Sequence, residues 1–521
     1  MPDPLPAQRH DQSHTTKTPT VGETAEDVTG GAGSRSTTAS SAADKAAGDK
    51  TGVGKTAAKS RRSMGMVPWV VASGMFINQL DSTVLTTSLP QIAVSLGESP
   101  LKLSLAITSY LITLAVFIPI SGWIADRFGP RRVFCWAIAI FTLSSAACGF
   151  ADNLWMLVAT RVIQGFGGAL MTPVGRIILG RSFPKDQLYA ALAFVSIPAL
   201  IGPTIGPVVG GVITTYLSWR WIFFVNIPFG IVGILLALKY VKNFDTPKPP
   251  PFDMKGFIVV GCGLAILELA IEFIGHRIVG TPIIIALLLA AAILLGIYYF
   301  YAMQRANPVL DLTLFRLRTF RASTLAGSLC RMTIGAVPFL LALMLQVGFG
   351  LSAVASGLIT FVMNIGAIFI KTIANRLARR FGFRNLVLYN ASLLGLMAMG
   401  LALFDQDTPH WMMVVYLLFY GVVRSVQFTN VNALAFAELT SQTLSRGNSI
   451  ASVMQQLSSS FGIAIAATVL SLVAGGHALE SEDFHWSFII VGLFPIISVL
   501  GFVRLKPNDG AEMAGRSRSG S

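Results

Sequence analysis

Charged side chains are scarce in this sequence. They make up 12% of its 521 residues, against 53% hydrophobic residues, and the mean hydropathy is +0.66. A soluble globular chain of this composition would expose far too much apolar surface, so that class is excluded. Cysteine is scarce as well. Cys135, Cys148, Cys262 and Cys330 lie in or beside apolar runs and form no CxxC pair, which argues against a disulfide framework or a zinc site. No HExxH motif and no Ser/His/Asp constellation occurs, so nothing points to an enzyme or to a bound metal. The formal charge of +14 would suggest nucleic acid in a soluble protein. Here the basic residues fall in short segments between apolar runs, and no nucleic-acid partner is expected.

Residues 1–64 have almost no apolar content. They cannot bury a core, which predicts a disordered tail, and they contain no apolar stretch of signal-peptide type. TGVGKT (51–56) approaches a phosphate-binding loop, but Asp49 stands where that loop needs its first glycine, and no strand pattern precedes it. Residues 506–521 form a second polar tail.

What the chain does have is long apolar runs. Fourteen of them lie between residues 67 and 504, the first at 67–90 and the ninth at 322–346. Each approaches the ~20 residues a helix needs to cross a bilayer, and helices satisfy their own backbone in lipid. The fold class is therefore an all-α polytopic membrane protein. Placing both termini in the cytoplasm puts Arg127, Arg131, Arg132, Arg181, Lys239, Arg316, Arg380 and Arg446 on the inner side and Glu98, Asp152, Asp405 and Glu480 on the outer side. This follows the positive-inside rule and predicts a cell (inner or plasma) membrane location with both ends cytoplasmic.

Asp81 interrupts the first run, MVPWVVASGMFINQLDSTVLTTSLPQIAVSL. A carboxylate at membrane depth costs roughly 2.5–3.5 kcal/mol, so it faces a protein interior or a wet cavity. Proton binding is the obvious role: apolar surroundings favour the neutral form and a nearby cation favours the charged one. Arg161, in the fourth run, is equally costly without a partner. A carbonyl, or Asp81 itself, would serve.

The segment ADRFGPRRV (125–133) recurs as ARRFGFRNL (378–386), eight runs later. This repeat fits two six-helix halves with two helices inserted between them, a parallel-repeat transporter plan. The expected organisation is a tail at 1–64, a bundle at 65–245, inserted helices at 246–305, a second bundle at 306–505 and a tail at 506–521.

These motifs resemble the major facilitator superfamily, in its fourteen-helix drug:proton antiporter branch of the EmrB and QacA type. SGWIADRFGPRRVF (121–134) is similar to the superfamily's loop motif through Gly122, Asp126, Arg127, Gly129, Arg131 and Arg132. LDSTVLTTSLP (80–90) resembles the first-helix motif. RVIQGFGGALMTP (161–173) resembles the fourth-helix motif through Arg161, Gln164 and Gly165. GPTIGPVVGG (202–211) resembles the antiporter motif through Gly202, Pro203, Gly206, Pro207, Gly210 and Gly211. QVGFG (346–350), QFTNVNALAFAELT (427–440) and GNSIASVMQQLS (447–458) further resemble the MdtD- and HsrA-like branch of multidrug transporters. One departure is that Arg379 replaces, in the second half, the acid found at Asp126.

The resemblance implies a role in proton coupling for Asp81 and Arg161, and a gating charge network around Asp126. It implies export of small organic compounds by proton antiport, with no cofactor. Export of an organic acid, siderophore or other metabolite is the alternative. A monomer in the bilayer is expected, and a periplasmic adaptor is left open. Asn78, Gln79, Glu268, Glu272, Arg331, Gln346, Asn364, Arg424, Gln427, Asn430 and Asn432 are candidates to line a polar cavity, or to join helices by hydrogen bonds.

Overall fold

The computed structural model describes residues 65–244, 251–276, 279–305, 307–440, 443–506 and 509, with backbone alone for parts of 185–199 and 369–379. The two predicted tails lie outside the described residues, apart from Lys506 and Asp509.

Fourteen long helical segments run through the described residues. They are α1 (Val67–Leu96), α2 (Ser104–Phe128), α3 (Pro130–Gly149), α4 (Leu154–Ser182), α5 (Lys185–Tyr216), α6 (Trp221–Tyr240), α7 (Met254–His276) and α8 (Thr281–Met303). The remainder are α9 (Arg318–Gly348), α10 (Ala353–Phe381), α11 (Phe383–Leu403), α12 (His410–Phe436), α13 (Leu444–Ala474) and α14 (Asp483–Phe502). Eleven are long and apolar enough to cross a membrane, and α5 and α10 contain the shorter apolar stretches Leu200–Tyr216 and Ala353–Ile368. The protein is a multi-pass membrane protein.

Local chemistry sets the helix ends. The first helix runs past the expected boundary at 90 because Pro90 is carried inside it, as membrane helices allow. It stops at Gly97, whose φ of 66° lets the chain turn back. Asn153 caps α4 by accepting a hydrogen bond from the Met156 amide at 2.9 Å. Gly129 joins α2 to α3 at φ 89°, and its repeat counterpart Gly382 joins α10 to α11 at φ 77°. Only glycine adopts such angles freely, which explains why this residue recurs in the repeated loop. The ninth helix is longer than the 322–346 run and holds π-helical turns at Ala322–Ala326 and Met344–Gly348.

The packing repeats as well. In the first six helices, α1 lies on α5, α2 on α4, and α3 on α4 and α6. In the last six, α9 lies on α13, α10 on α12, and α11 on α12 and α14. The two sets meet along two seams, α2 against α13 and α5 against α10. Helices α7 and α8 pair with each other, and α7 rests on both α2 and α13, across the first seam.

The apolar core is asymmetric along the helix axes. Leu80, Val84, Leu85, Leu89 and Ile92 of α1, with Trp219, Ile222 and Phe223, form one cluster continuous with the core of the last six helices. Val70, Val71 and Met75 of α1, with Val133, Phe134, Ile178 and Leu179, form a separate cluster confined to the first six. The halves are thus packed together at the end holding Trp219. Towards the end holding Asp126 the first half has a core of its own, and a third cluster, with Ala115 of α2 against Ile450, Val453 and Leu457 of α13, spans the α2–α13 seam. Glycines permit the tight end. A Cβ on Gly211 of α5 would run into the Ala353 carbonyl of α10, and one on Gly357 of α10 would run into the Pro207 carbonyl of α5.

Candidate functional site

Five of the first six helices converge on Asp81, whose side chain is 2% exposed. Arg161 of α4, 1% exposed, places Nη1 2.6 Å from Asp81 Oδ2. Gln164 Nε2, one turn along α4, donates to Asp81 Oδ1 at 2.9 Å, and Asn226 Nδ2 of α6 donates to the same oxygen at 2.9 Å. Three donors on one carboxylate suit its ionised form. Burying two ions is expensive, by several kcal/mol each, and only close pairing with further hydrogen bonds offsets it.

Arg161 meets that requirement. Its Nε donates to the Ala106 carbonyl of α2 at 3.1 Å, and Nη1 also donates to Gln164 Oε1 at 2.7 Å. The Tyr110 ring lies 4.2 Å beneath the guanidinium carbon, within cation–π range. Asn226 Nδ2 also donates to Ser145 Oγ of α3 at 3.0 Å. Both partners open to Arg161 in the sequence, a carbonyl and Asp81, are therefore used together. The Asp81 carboxylate thus links α1 to α4 and α6, and Arg161 links α4 to α2.

Asn226, Tyr110 and Ser145 escaped the sequence reading. Asn226 was the most findable, as a lone amide opening the apolar stretch NIPFG. Tyr110 and Ser145 carry no distinguishing pattern, because a hydroxyl on a helix in lipid commonly bonds its own backbone.

Asn78 lies three residues from Asp81 but binds elsewhere. It donates to the Gly168 carbonyl at 3.1 Å and accepts from the Tyr110 hydroxyl at 3.3 Å. Close approach of α4 to α2 needs Gly165, where a Cβ would lie 2.9 Å from the Tyr110 carbonyl. Gly202, Gly206 and Gly210 of α5 face α1, against Gln79, Thr83 and Val84. The Pro203 carbonyl of α5 accepts a hydrogen bond from Asn364 of α10 at 3.2 Å, so this motif meets both α1 and the opposite half.

At the other end of the first bundle, Asp126 pairs with Arg181 of α4 at 2.7 Å. Both are partly exposed. Gly122 has open space where a Cβ would go, Arg131 donates to the Leu238 carbonyl of α6, and Arg127 and Arg132 are exposed. The network thus binds α2 to α4 through Arg181, which was read from the sequence only as part of the inner-side charge.

The remaining candidates divide. Gln346 of α9 donates to the Thr87 carbonyl of α1 at 2.9 Å, across the tight end. Arg424 donates to Asn364 Oδ1 at 2.7 Å. Arg331 donates to Asn432 Oδ1 at 2.8 Å and to the Ser323 carbonyl at 3.2 Å. Arg331 lies mid-way along α9. Gln427 is buried between Asn390 and Cys330, and Asn430 donates to the Val426 carbonyl of its own helix at 2.8 Å. These two join or stiffen helices. Glu268 and Glu272 are both buried on α7, at the α2–α13 seam.

The Major Facilitator Superfamily model matches residues 71–463 and 323–519. The chain is 40% identical over 471 residues to "Putative multidrug resistance protein MdtD" of Cronobacter sakazakii, covering 87% of this chain and 98% of that protein. It is 38% identical over 465 residues to the protein of the same name from Klebsiella pneumoniae, covering 87% and 98%. A D-xylose–proton symporter superposes with a TM-score of 0.60 at 15% identity, covering 85% of this chain and 98% of that one. A bacterial homologue of the lysosomal transporter Spinster, inward-facing and occupied, superposes with a TM-score of 0.61 at 14% identity, covering 87% and 98%. At such identities these two show the fold alone.

Proposed function

The chain belongs to the major facilitator superfamily, and from this premise we propose that it is a proton-coupled exporter of small, drug-like organic compounds. It is a transporter and not an enzyme. The observation that carries the proton coupling is the Asp81–Arg161 pair, buried and held by four helices. The multidrug names of the relatives support the cargo.

The mechanism follows from the geometry. With the Trp219 end packed shut, the ionised Asp81 holds Arg161, and the transporter accepts substrate from the Asp126 side. The basic bias supports a cytoplasmic position for that side. When the halves rock and the Trp219 end opens, water reaches Asp81 and a proton neutralises it. Arg161 then retains Ala106, Gln164 and the Tyr110 ring but loses its counter-charge. Release of the proton on return to the inner side restores the pair. The membrane potential contributes about 2.3 kcal/mol per charge per 100 mV, and no cofactor is needed. The Asp81 cluster is built within one chain, which supports a functional monomer; the basic bias supports placing both termini on the cytoplasmic side of the cell membrane.

The test is proton movement in proteoliposomes on addition of lipophilic cations such as ethidium. The expected result is substrate-dependent proton movement that Asp81→Asn abolishes. Equal signals in both proteins would remove Asp81 from the coupling step.

A further inference from the structure

Of the acids among the described residues, only Asp81, Glu268 and Glu272 lie in the bodies of the long helices, away from their ends. The coupling step above uses Asp81 alone. Glu268 sits on the inserted helix α7, 3% exposed, where α7 covers the seam between the halves. Its carboxyl meets the Ser460 hydroxyl of α13 through Oε1, while Oε2 is buried with no hydrogen-bond partner among the described residues. Ser460 Oγ also lies 3.5 Å from the Thr108 carbonyl of α2.

Among the described residues no cation serves Glu268. The helices packed against α7 carry charge only at their ends: Asp126 and Arg127 on α2, Arg446 on α13, and none on α8. Arg446 is already paired with Asp311 at 3.1 Å. The Tyr110 hydroxyl of α2 is committed to Asn78. On α7 itself, Lys255 and His276 stand at its two ends, and Glu272 stands one turn away, adding like charge if ionised. An ionised carboxylate buried without a counter-charge is costly, and taking up a proton removes that cost.

The hydrogen-bond arithmetic then matters, because a serine has one proton to donate. A protonated Glu268 donates to Ser460 Oγ, leaving Ser460 free to donate to Thr108. That chain runs from α7 through α13 to α2 and ties the two halves together. An ionised Glu268 instead claims the Ser460 proton, and Thr108 loses its link. We propose that Glu268 is a second proton-binding site, located at the α2–α13 seam, whose protonation clasps the halves and whose deprotonation releases them. It deepens the proton-coupled reading of function and rests on it. It also gives the inserted pair a role, since α7 carries an acid to a seam whose other two helices have none at that depth.

Infrared difference spectroscopy of the full chain in lipid nanodiscs, between low and high pH, tests the site without substrate. A carboxylic-acid C=O band is expected that disappears in Glu268→Gln and persists in Asp81→Asn. Ser460→Ala keeps the carboxyl and is expected to move the band, which covers the case in which Glu268→Gln fails to fold. Spin labels at Gln91→Cys and Ser352→Cys, which line the depression between the halves at the Trp219 end, then report the clasp in a Cys262→Ser background. Their separation is expected to widen as pH rises in the wild type and to lose that response in Glu268→Gln and in Ser460→Ala. A band unchanged by Glu268→Gln overturns the site. A lost band with an unchanged pH response of the labels overturns the clasp. Absence of substrate-driven proton movement in the wild type, with the band present, defeats the antiport reading and not the site.

Discussion

Replacing Asp81 with asparagine preserves side-chain volume and removes one charge. The new side chain can accept from Arg161 through its amide oxygen, but its amide nitrogen then points at Gln164 Nε2 and Asn226 Nδ2, both donors 2.9 Å from the present carboxylate. Gln164 cannot turn over without giving up its bond from Arg161 at 2.7 Å. Asn226 can, because its Oδ1 is buried without a partner among the described residues and the Ser145 hydroxyl, which now accepts from Nδ2, can turn from the Phe223 carbonyl to donate to it. The substitution therefore leaves one donor–donor conflict and one uncompensated guanidinium. Removing one member of a buried pair costs about 3–5 kcal/mol, roughly two to four powers of ten in an equilibrium constant. The three acceptors Arg161 keeps favour the lower bound. Adding Arg161→Gln removes the orphaned charge and should recover about 0.5–3 kcal/mol, the range seen for directly coupled residues. The assay is unfolding of the purified protein for the wild type, both single variants and the double variant, completed as a cycle. A cycle that closes additively, with a coupling under about 0.5 kcal/mol, would refute the reasoning, since it would mean the two charges do not depend on each other.

Three further outcomes are expected. Asn226→Ala removes a donor from the Asp81 carboxylate and should destabilise the fold by about 1.5–3 kcal/mol, as for a hydrogen bond to a charged group; unfolding within error of wild type would show that Asn226 is incidental. Asp126→Asn breaks the partly exposed pair with Arg181, so stability should fall by only about 0.2–1 kcal/mol, while transport falls severalfold if the pair gates the Asp126 end; a large stability loss with normal transport would contradict this. Gly211→Ala forces a Cβ against the Ala353 carbonyl and should cost roughly 1–3 kcal/mol of the closed packing, read as faster thiol labelling of Gln91→Cys at the Trp219 end; unchanged labelling would show that the α5–α10 seam has slack.

Much of the architecture was legible along the chain. Fourteen runs became fourteen long helical segments because hydropathy over ~20 residues is dictated by bilayer thickness and needs no knowledge of neighbours. The weakest boundaries lay where backbone rules blur in lipid: Pro90 did not end α1, and α9 extended through π-helical turns at both ends. Asp81 and Arg161 stood out because each is expensive in an apolar run. Asn226, Ser145 and Tyr110 did not, because a neutral polar side chain in a helix has a cheap local alternative. Arg181 was visible as a basic residue at a helix end, but its assignment to Asp126 came from the packing of α2 on α4. Glu268 and Glu272 are candidates from the sequence to line a cavity or to join helices, and only the packing of α7 on α2 and α13 sets them at the seam between the halves.

Composition and pattern by themselves determined that this chain lives in a bilayer, how often it crosses, which loops turn on glycine, and that a carboxylate and a guanidinium must be sheltered within the first half. They did so because cost per residue in lipid is a local quantity. Which groups shelter them was decided only by tertiary packing. Asp81 and Asn226 are 145 positions apart, and Glu268 and Ser460 are 192 apart. A helix's period shows which residues share its face; it says nothing of which distant helix that face will meet.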